Sequence, residues 1–482
     1  SLLNFVQNTA QPGSYRTFPI PKQTPPSMKP IAKTTLSLSL LLAASVPGAA
    51  FAQTAARGAK AVPATRTEMK QALDQLKGRE PRLPLPPPTA EEIERAKNNP
   101  NPARGLGAGL VNNARMRNLY LPEELRGPAT LNREPDPRMT LKAPFITEIF
   151  WIVSRLNNCH YCLGHQEAKL TADGLSDDDL ARLDGDWSEL PADRRAAFTF
   201  SRKLTVDPQR VTAADLEPLR DHYTDLQILE IVLLTARYNA TNRWTDSLGI
   251  PQEDHREYLS PTSPAYETRR SAVALLPAAD KPGPALPPAR PALESASEVV
   301  ARIDSARRRQ PALPLVSVEE ARQALPDLPA GPVPAWIRLL ANFPKTGVAM
   351  ARIQRQLPVA GNLPPLLRAQ IAWVAARHDR AWYALNIAHE SLTALGQSAA
   401  QIDQLTTPGA TLSPGDQLAL QFTAKLTATP QWIGDDDIAG LRKHFTDAQV
   451  AEIVYRVTQA NQFDRLTEAA QLPVDPPANV TP

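Results

Sequence analysis

The chain holds two cysteines in 482 residues, Cys159 and Cys162, both inside the stretch NNCHYCLGHQ. His160 stands between them and His165 follows. Glu148 lies upstream in the apolar segment APFITEIFWIVSRL, among Ile146, Ile149, Phe150 and Trp151. On a helix, residues three apart share a face, so Cys162 falls one turn after Cys159 and His165 one turn after that. A thiolate at a helix N-terminus is favoured by the helix dipole, and a nearby imidazole can take its proton. Peroxide reduction needs this set. One thiolate becomes a sulfenic acid, and a second thiol within reach condenses with it to a disulfide. A buried glutamate beside a histidine makes a proton-relay pair whose pKa values can be tuned toward neutrality.

Other uses of the pair are weaker. A disulfide closing so small a loop restricts little of the unfolded chain, so a structural staple explains it poorly. Zinc wants four ligands, and Cys159, Cys162 and His165 supply three; the fourth would come from Glu148 or a distant residue. Thioredoxin-like chemistry places CxxC in a βαβ context that this sequence lacks. Glu148 taken alone could be a satisfied core acid. No metal and no cofactor are expected.

The elements that must position these residues are helices. Residues 145–156 read as a buried helix, Asn157 and Asn158 offer a break and an N-cap, and Cys159 begins the next helix. The segment TDLQILEIVLLTARYNATNRW has apolar residues at Leu226, Ile228, Leu229, Ile231, Val232 and Leu233, with Thr224 or Asp225 placed as N-cap. Alternating strand patterns are nearly absent, so the expected fold is all-α.

The chain also resembles itself. Leu219–Pro251 aligns with Leu441–Pro473 at an offset of 222 residues without a gap, matching His222 with His444, Glu230 with Glu452, Asn239 with Asn461 and Arg243 with Arg465. The period is far above that of a solenoid repeat, so a whole domain is expected to be duplicated. The paired histidines His222 and His444 suit packing or capping. At the same offset Glu148 meets Gln370, Cys159 meets Ala381, Cys162 meets Ala384 and His165 meets Ile387, while Trp151 meets Trp373. Four candidate groups vanish together and the helix pattern stays. Parts of one device behave that way; unrelated core residues have no reason to.

Two domains are expected, a redox-active one over 80–260 and one without cysteines over 310–475. Residues 261–309 read as a Pro/Ala-rich linker, 53–79 as flexible and 476–482 as a tail. From Met28 onward, Lys29 and Lys33, the apolar run Leu36–Ala44 and Ala50-Phe51-Ala52 before Gln53 form the pattern of a signal peptide over 28–52. A secreted or periplasmic protein in a disulfide-permissive compartment is the expectation. Residues 1–27 precede that methionine and are expected to be untranslated or disordered. A formal charge of +3, with no basic run interleaved with aromatics, speaks against nucleic acid as a partner.

Glu148, CHYCLGH and YNATNRWTDSLGIP together resemble the carboxymuconolactone decarboxylase / alkyl hydroperoxide reductase D-like (AhpD-like) superfamily, over both units. The redox-active branch carries E-x11-C-x2-C-x3-H; this chain has E-x10-C-x2-C-x2-H. The resemblance implies an all-α pair of AhpD-like domains and a thiol-dependent peroxidase. It implies that Cys162 is the peroxidatic thiol and Cys159 the resolving thiol, with His165 and Glu148 relaying the proton through water. It also implies a peroxide substrate, a thiol or disulfide reductant that the sequence does not name, and a homo-oligomer, conceivably a trimer of two-domain chains. General dithiol–disulfide exchange and non-redox lactone chemistry are the alternatives.

Overall fold

In a computed structural model, residues 63, 65–97, 111–126, 136–185, 187–253, 292–406 and 412–476 are described. The expected segments 1–27 and 28–52 lie outside them. Twenty α-helices and several short 3-10 turns account for the regular structure, with no strand among the described residues. The all-α expectation is met.

The N-terminal half comprises α1 (Arg66–Gln75), α2 (Ala90–Lys97), α3 (Asn112–Tyr120), α4 (Glu123–Arg126), α5 (Ala143–Leu156), α6 (His160–Ala172), α7 (Asp177–Leu183), α8 (Ala192–Val206), α9 (Glu217–Arg220) and α10 (Asp225–Ser247). The C-terminal half comprises α11 (Ala296–Arg307), α12 (Val318–Ala324), α13 (Ala335–Leu340), α14 (Thr346–Gln356), α15 (Pro365–Asp379), α16 (Trp382–Ala394), α17 (Ala399–Gln404), α18 (Pro414–Ala428), α19 (Asp435–Leu441) and α20 (Asp447–Ala469). Shifted by 222 residues, α6, α8 and α10 coincide end to end with α16, α18 and α20, and α5 differs from α15 by one residue at its C-terminus.

Two expectations about the flanks are corrected. Residues 66–75, expected within a flexible segment, form a helix whose N-cap Thr65 and N3 residue Glu68 make a reciprocal capping box. That helix is pinned by buried charge: Arg66 reaches Asp177 at 2.9 Å and Glu167 at 3.1 Å, and Lys70 reaches Asp177 at 2.5 Å. Likewise residues 296–307, expected within the linker, form α11 behind a Ser295–Glu298 capping box. Glu294 ahead of it accepts from Arg377 at 3.2 Å and Arg380 at 2.5 Å, which anchors the segment to α15.

The halves share one hydrophobic core and fall in one compact unit. Helices α10 and α20 pack together at its centre. Both are buried almost all round, as helices crossing the middle of a core must be. Their polar residues therefore need internal partners. Arg243 donates across the junction to the carbonyls of Leu426 at 3.2 Å and Thr427 at 3.3 Å, at the end of α18. Arg465 returns the contact to the carbonyl of Thr205 at 3.1 Å, at the end of α8. A cation at a helix C-terminus also complements the dipole there.

The same junction shows what the C-terminal half has altered. In the N-terminal half the Asn157 amide donates to Asn239 at 3.1 Å and Asn242 at 3.0 Å. At the matching positions stand Asp379 and Asp464, 0% and 1% exposed. Arg465 holds Asp379 at 2.8 Å, while Oδ2 of Asp464 has no hydrogen-bond partner. Burial, then the charges of Asp379 and Glu468, push the Asp464 carboxyl well above the carboxylate range, and Arg465 opposes them. The native chain then keeps a proton that the unfolded chain releases above about pH 4. Its contribution to stability must fall as pH rises from there toward the folded pKa. Asp464→Asn, which installs the residue found at 242, should raise the urea midpoint more at pH 8 than at pH 5. An equal gain at both would contradict the buried-proton account.

Candidate functional site

The dithiol sits where two helices meet. α5 ends in a Schellman turn: the Asn158 N–H bonds the Arg155 carbonyl at 3.2 Å, and the Cys159 N–H bonds that of Ser154 at 2.9 Å. Asn158 takes the left-handed conformation, φ 51°, which asparagine tolerates better than most residues. Cys159 then serves directly as N-cap of α6, and Cys162 is its third residue. The expected break after α5 is correct, although the cap is the cysteine and not an asparagine. The turn recurs at Arg380, φ 53°, with Ala381 bonding back to Ala376 at 3.0 Å. The fold therefore makes this turn with or without sulfur.

Neither cysteine is in a disulfide, and both are buried, Cys159 at 0% exposure and Cys162 at 2%. The Thr245 hydroxyl on α10 lies 3.2 Å from each sulfur. Its proton also reaches the Thr241 carbonyl at 3.0 Å, and the hydroxyl rotates, so it accepts from a thiol or turns to donate to a thiolate. The matching Thr467 bonds Phe463 in the same way at 3.0 Å, so the threonine belongs to the helix and the thiols make use of it. Burial pushes the Cys162 thiol up. Hydrogen bonds from the Cys159 thiol, Thr245 and Asn242 act against it, and the thiol ends below its ordinary value even with Asp246 opposing. Cys162 is thus the sulfur prepared to be a thiolate, with Cys159 as its donor.

His165 and Glu148 are not joined as the relay anticipates. Glu148 pairs with Arg194 of α8 at 2.7 Å. Burial raises its carboxyl above the usual range, and Arg194 holds it back. The position explains the pairing. Glu148 is in the second turn of α5, whereas the thiols follow its C-terminus, and eight residues of helix span about 12 Å. His165 instead directs Nε2 to Glu253 at 3.3 Å and Nδ1 to the Tyr161 carbonyl at 3.0 Å. Glu253 is 3% exposed and also accepts from Tyr161 Oη at 2.6 Å, the Asn112 N–H at 2.9 Å and Gln252 at 3.1 Å. Donors on both oxygens suit a carboxylate. His160 turns back to Asn158 at 3.0 Å.

Glu253 escapes a reading centred on the CxxC motif because it lies 88 residues beyond His165. A signal existed: the offset of 222 pairs Tyr161 with Tyr383 and Glu253 with Asp475. Tyr383 donates to Asp475, which also accepts from the Ala335 N–H at 3.1 Å. The acid–tyrosine–helix-end contact is common to both halves and structural. The imidazole is the part that only the N-terminal half adds.

Among the described residues no three His, Cys, Asp or Glu side chains converge as a metal cage, and no helix is long and apolar enough to cross a membrane. No protein-family model matches the chain, and no curated protein matches it.

Proposed function

We propose that the chain reduces small hydroperoxides through a dithiol–disulfide cycle of Cys162 and Cys159, and that its C-terminal half is a non-catalytic partner derived by internal duplication. The observation that carries this is the placement of two reduced cysteines at the cap and third position of α6, with hydrogen bonds converging on Cys162. The resemblance to AhpD-like proteins supports the same assignment. The Cys162 thiolate attacks the peroxide, forming an S–O bond as the O–O bond breaks. The alcohol leaves with one proton, and the sulfur, oxidised by two electrons, becomes a sulfenic acid. Cys159 then attacks Cys162, forming the disulfide and releasing water. A thiol reductant returns the two electrons. His165, backed by Glu253, replaces the Glu148–His165 relay as the proton carrier.

Burial supports a small substrate. With the sulfurs at 0% and 2% exposure, a small peroxide needs far less displacement of the core to reach them than a protein disulfide would. Small hydroperoxides are therefore favoured over general disulfide exchange. Reduced protein mixed with excess cumene hydroperoxide should lose both thiols and release one cumyl alcohol per chain. Two thiols still titratable after prolonged exposure would refute the proposal.

A further inference from the structure

The halves differ at one more place beside the thiols. In the C-terminal half, Arg309 pairs with Glu468 at 2.9 Å. Glu468 in turn accepts the Tyr383 N–H at 3.4 Å, in the first turn of α16. A cation-backed carboxylate thus stands at the start of the helix that has lost its cysteines. The matching residue in α10 is Asp246, one methylene shorter, and the matching cation is Arg79. REPRLP at 79–84 corresponds to RQPALP at 309–314.

Arg79 is held at the C-terminal end of α10. Gly249, φ +62°, lets it approach: a Cβ there would lie 3.2 Å from Nε and Nη2. Its neighbour Arg82 caps the same helix, donating to the carbonyls of Asp246 at 2.7 Å and Ser247 at 3.0 Å, and pairs with Asp435 at 2.6 Å. Burial lowers Arg79, the charge of Asp246 supports it, Arg82 opposes it, and Asp435 and the dithiol add support.

We propose that Arg79, seated against Gly249 at the C-terminal end of α10, is a positioning residue for the dithiol: it places beside the Cys159–Cys162 pair a positive charge that in the C-terminal half is taken up by Glu468. The proposal rests on the thiol chemistry assigned above, since only a thiolate benefits from that charge. Asp246 partly neutralises the guanidinium and, being an acid near Cys162, discourages a second anion. Arg79 offsets this effect. The charged and titratable groups around the pair are then Arg79, Arg82, Asp246, Asp435 and the His165–Glu253 pair, with Thr245 and Asn242 as neutral donors.

The test is a thiolate titration of the reduced, full-length protein by absorbance at 240 nm, without peroxide. Arg79→Met should raise the first macroscopic pKa of the dithiol by about one unit. Arg79→Lys should restore most of the parent value. Arg309→Met, which breaks the equivalent pair away from any thiol, should leave the titration unchanged. If the methionine variant does not fold, Arg79→Gln serves in its place. An Arg79→Met or Arg79→Gln titration that overlays the parent overturns the proposal. So does an equal shift in Arg309→Met, which would report general loosening. Because no peroxide is present, failure of the peroxidase assignment and failure of this one are separately visible.

Discussion

Arg465→Met should destabilise the protein by about 3–5 kcal/mol, because it removes the cation paired with a fully buried aspartate, Asp379. Both partners are 0% exposed, so water cannot replace the guanidinium. The substitution also strands the Thr205 carbonyl and the Asn461 side chain, which Arg465 bonds at 3.1 and 3.2 Å. Arg243→Met is the matched comparison. It removes the same reach across the junction, but Asn157 and Asn242 stand where the other half has Asp379 and Asp464. No carboxylate stands at those two positions to be orphaned, and the loss should be that of the hydrogen bonds, about 1–3 kcal/mol. Urea unfolding of the two variants in parallel reads the difference. If Arg243→Met is the more damaging, the buried aspartate is not what makes Arg465 important.

The cysteine variants should separate more widely. Cys162→Ser should reduce peroxide oxidation to the background of the solvent, since a serine hydroxyl in the same site is not ionised near neutral pH and Cys159 then loses its role as donor. Cys159→Ser should behave differently. It leaves the Cys162 thiolate with Thr245 and Asn242 as donors, so the first oxidation should continue, slowed about tenfold by loss of one hydrogen bond to the anion. The second step has no attacking thiol, and a sulfenic acid should accumulate and be trapped by dimedone. Stopped-flow oxidation followed by mass spectrometry reads both. Equal rates for Cys162→Ser and the parent, or trapping on Cys159 in the parent, would reverse the assignment of the two sulfurs.

Much of this arrangement is written locally. The helix carrying the thiols follows from the apolar run before it, two asparagines at the break and a CxxC at the start of the next turn. The repeat at 222 residues is visible because α10 and α20 cross the middle of the core, where both apolar faces and buried polar partners constrain almost every position. What sequence does not disclose is long-range pairing. Glu148 and His165 look like partners because both lie near the cysteines in sequence. Their actual partners, Arg194 and Glu253, come from α8 and from the segment after α10. Helices α1 and α11 hide among proline and alanine, yet Thr65–Glu68 and Ser295–Glu298 both carry the S/T-x-x-E spacing of a capping box. Composition argued for linkers; the caps argued for helices, and the caps were right.

The crossing of Arg243 and Arg465 bears on how such a molecule can change over time. Each arginine completes the end of a helix in the opposite half, so a substitution in either half is felt first in the other. The half without cysteines takes part in that exchange as fully as the half with them. Loss of the copy itself would uncover carbonyls and a long apolar face in the half that keeps the thiols. Neither half is therefore complete without the other, and the two are bound to be inherited as one.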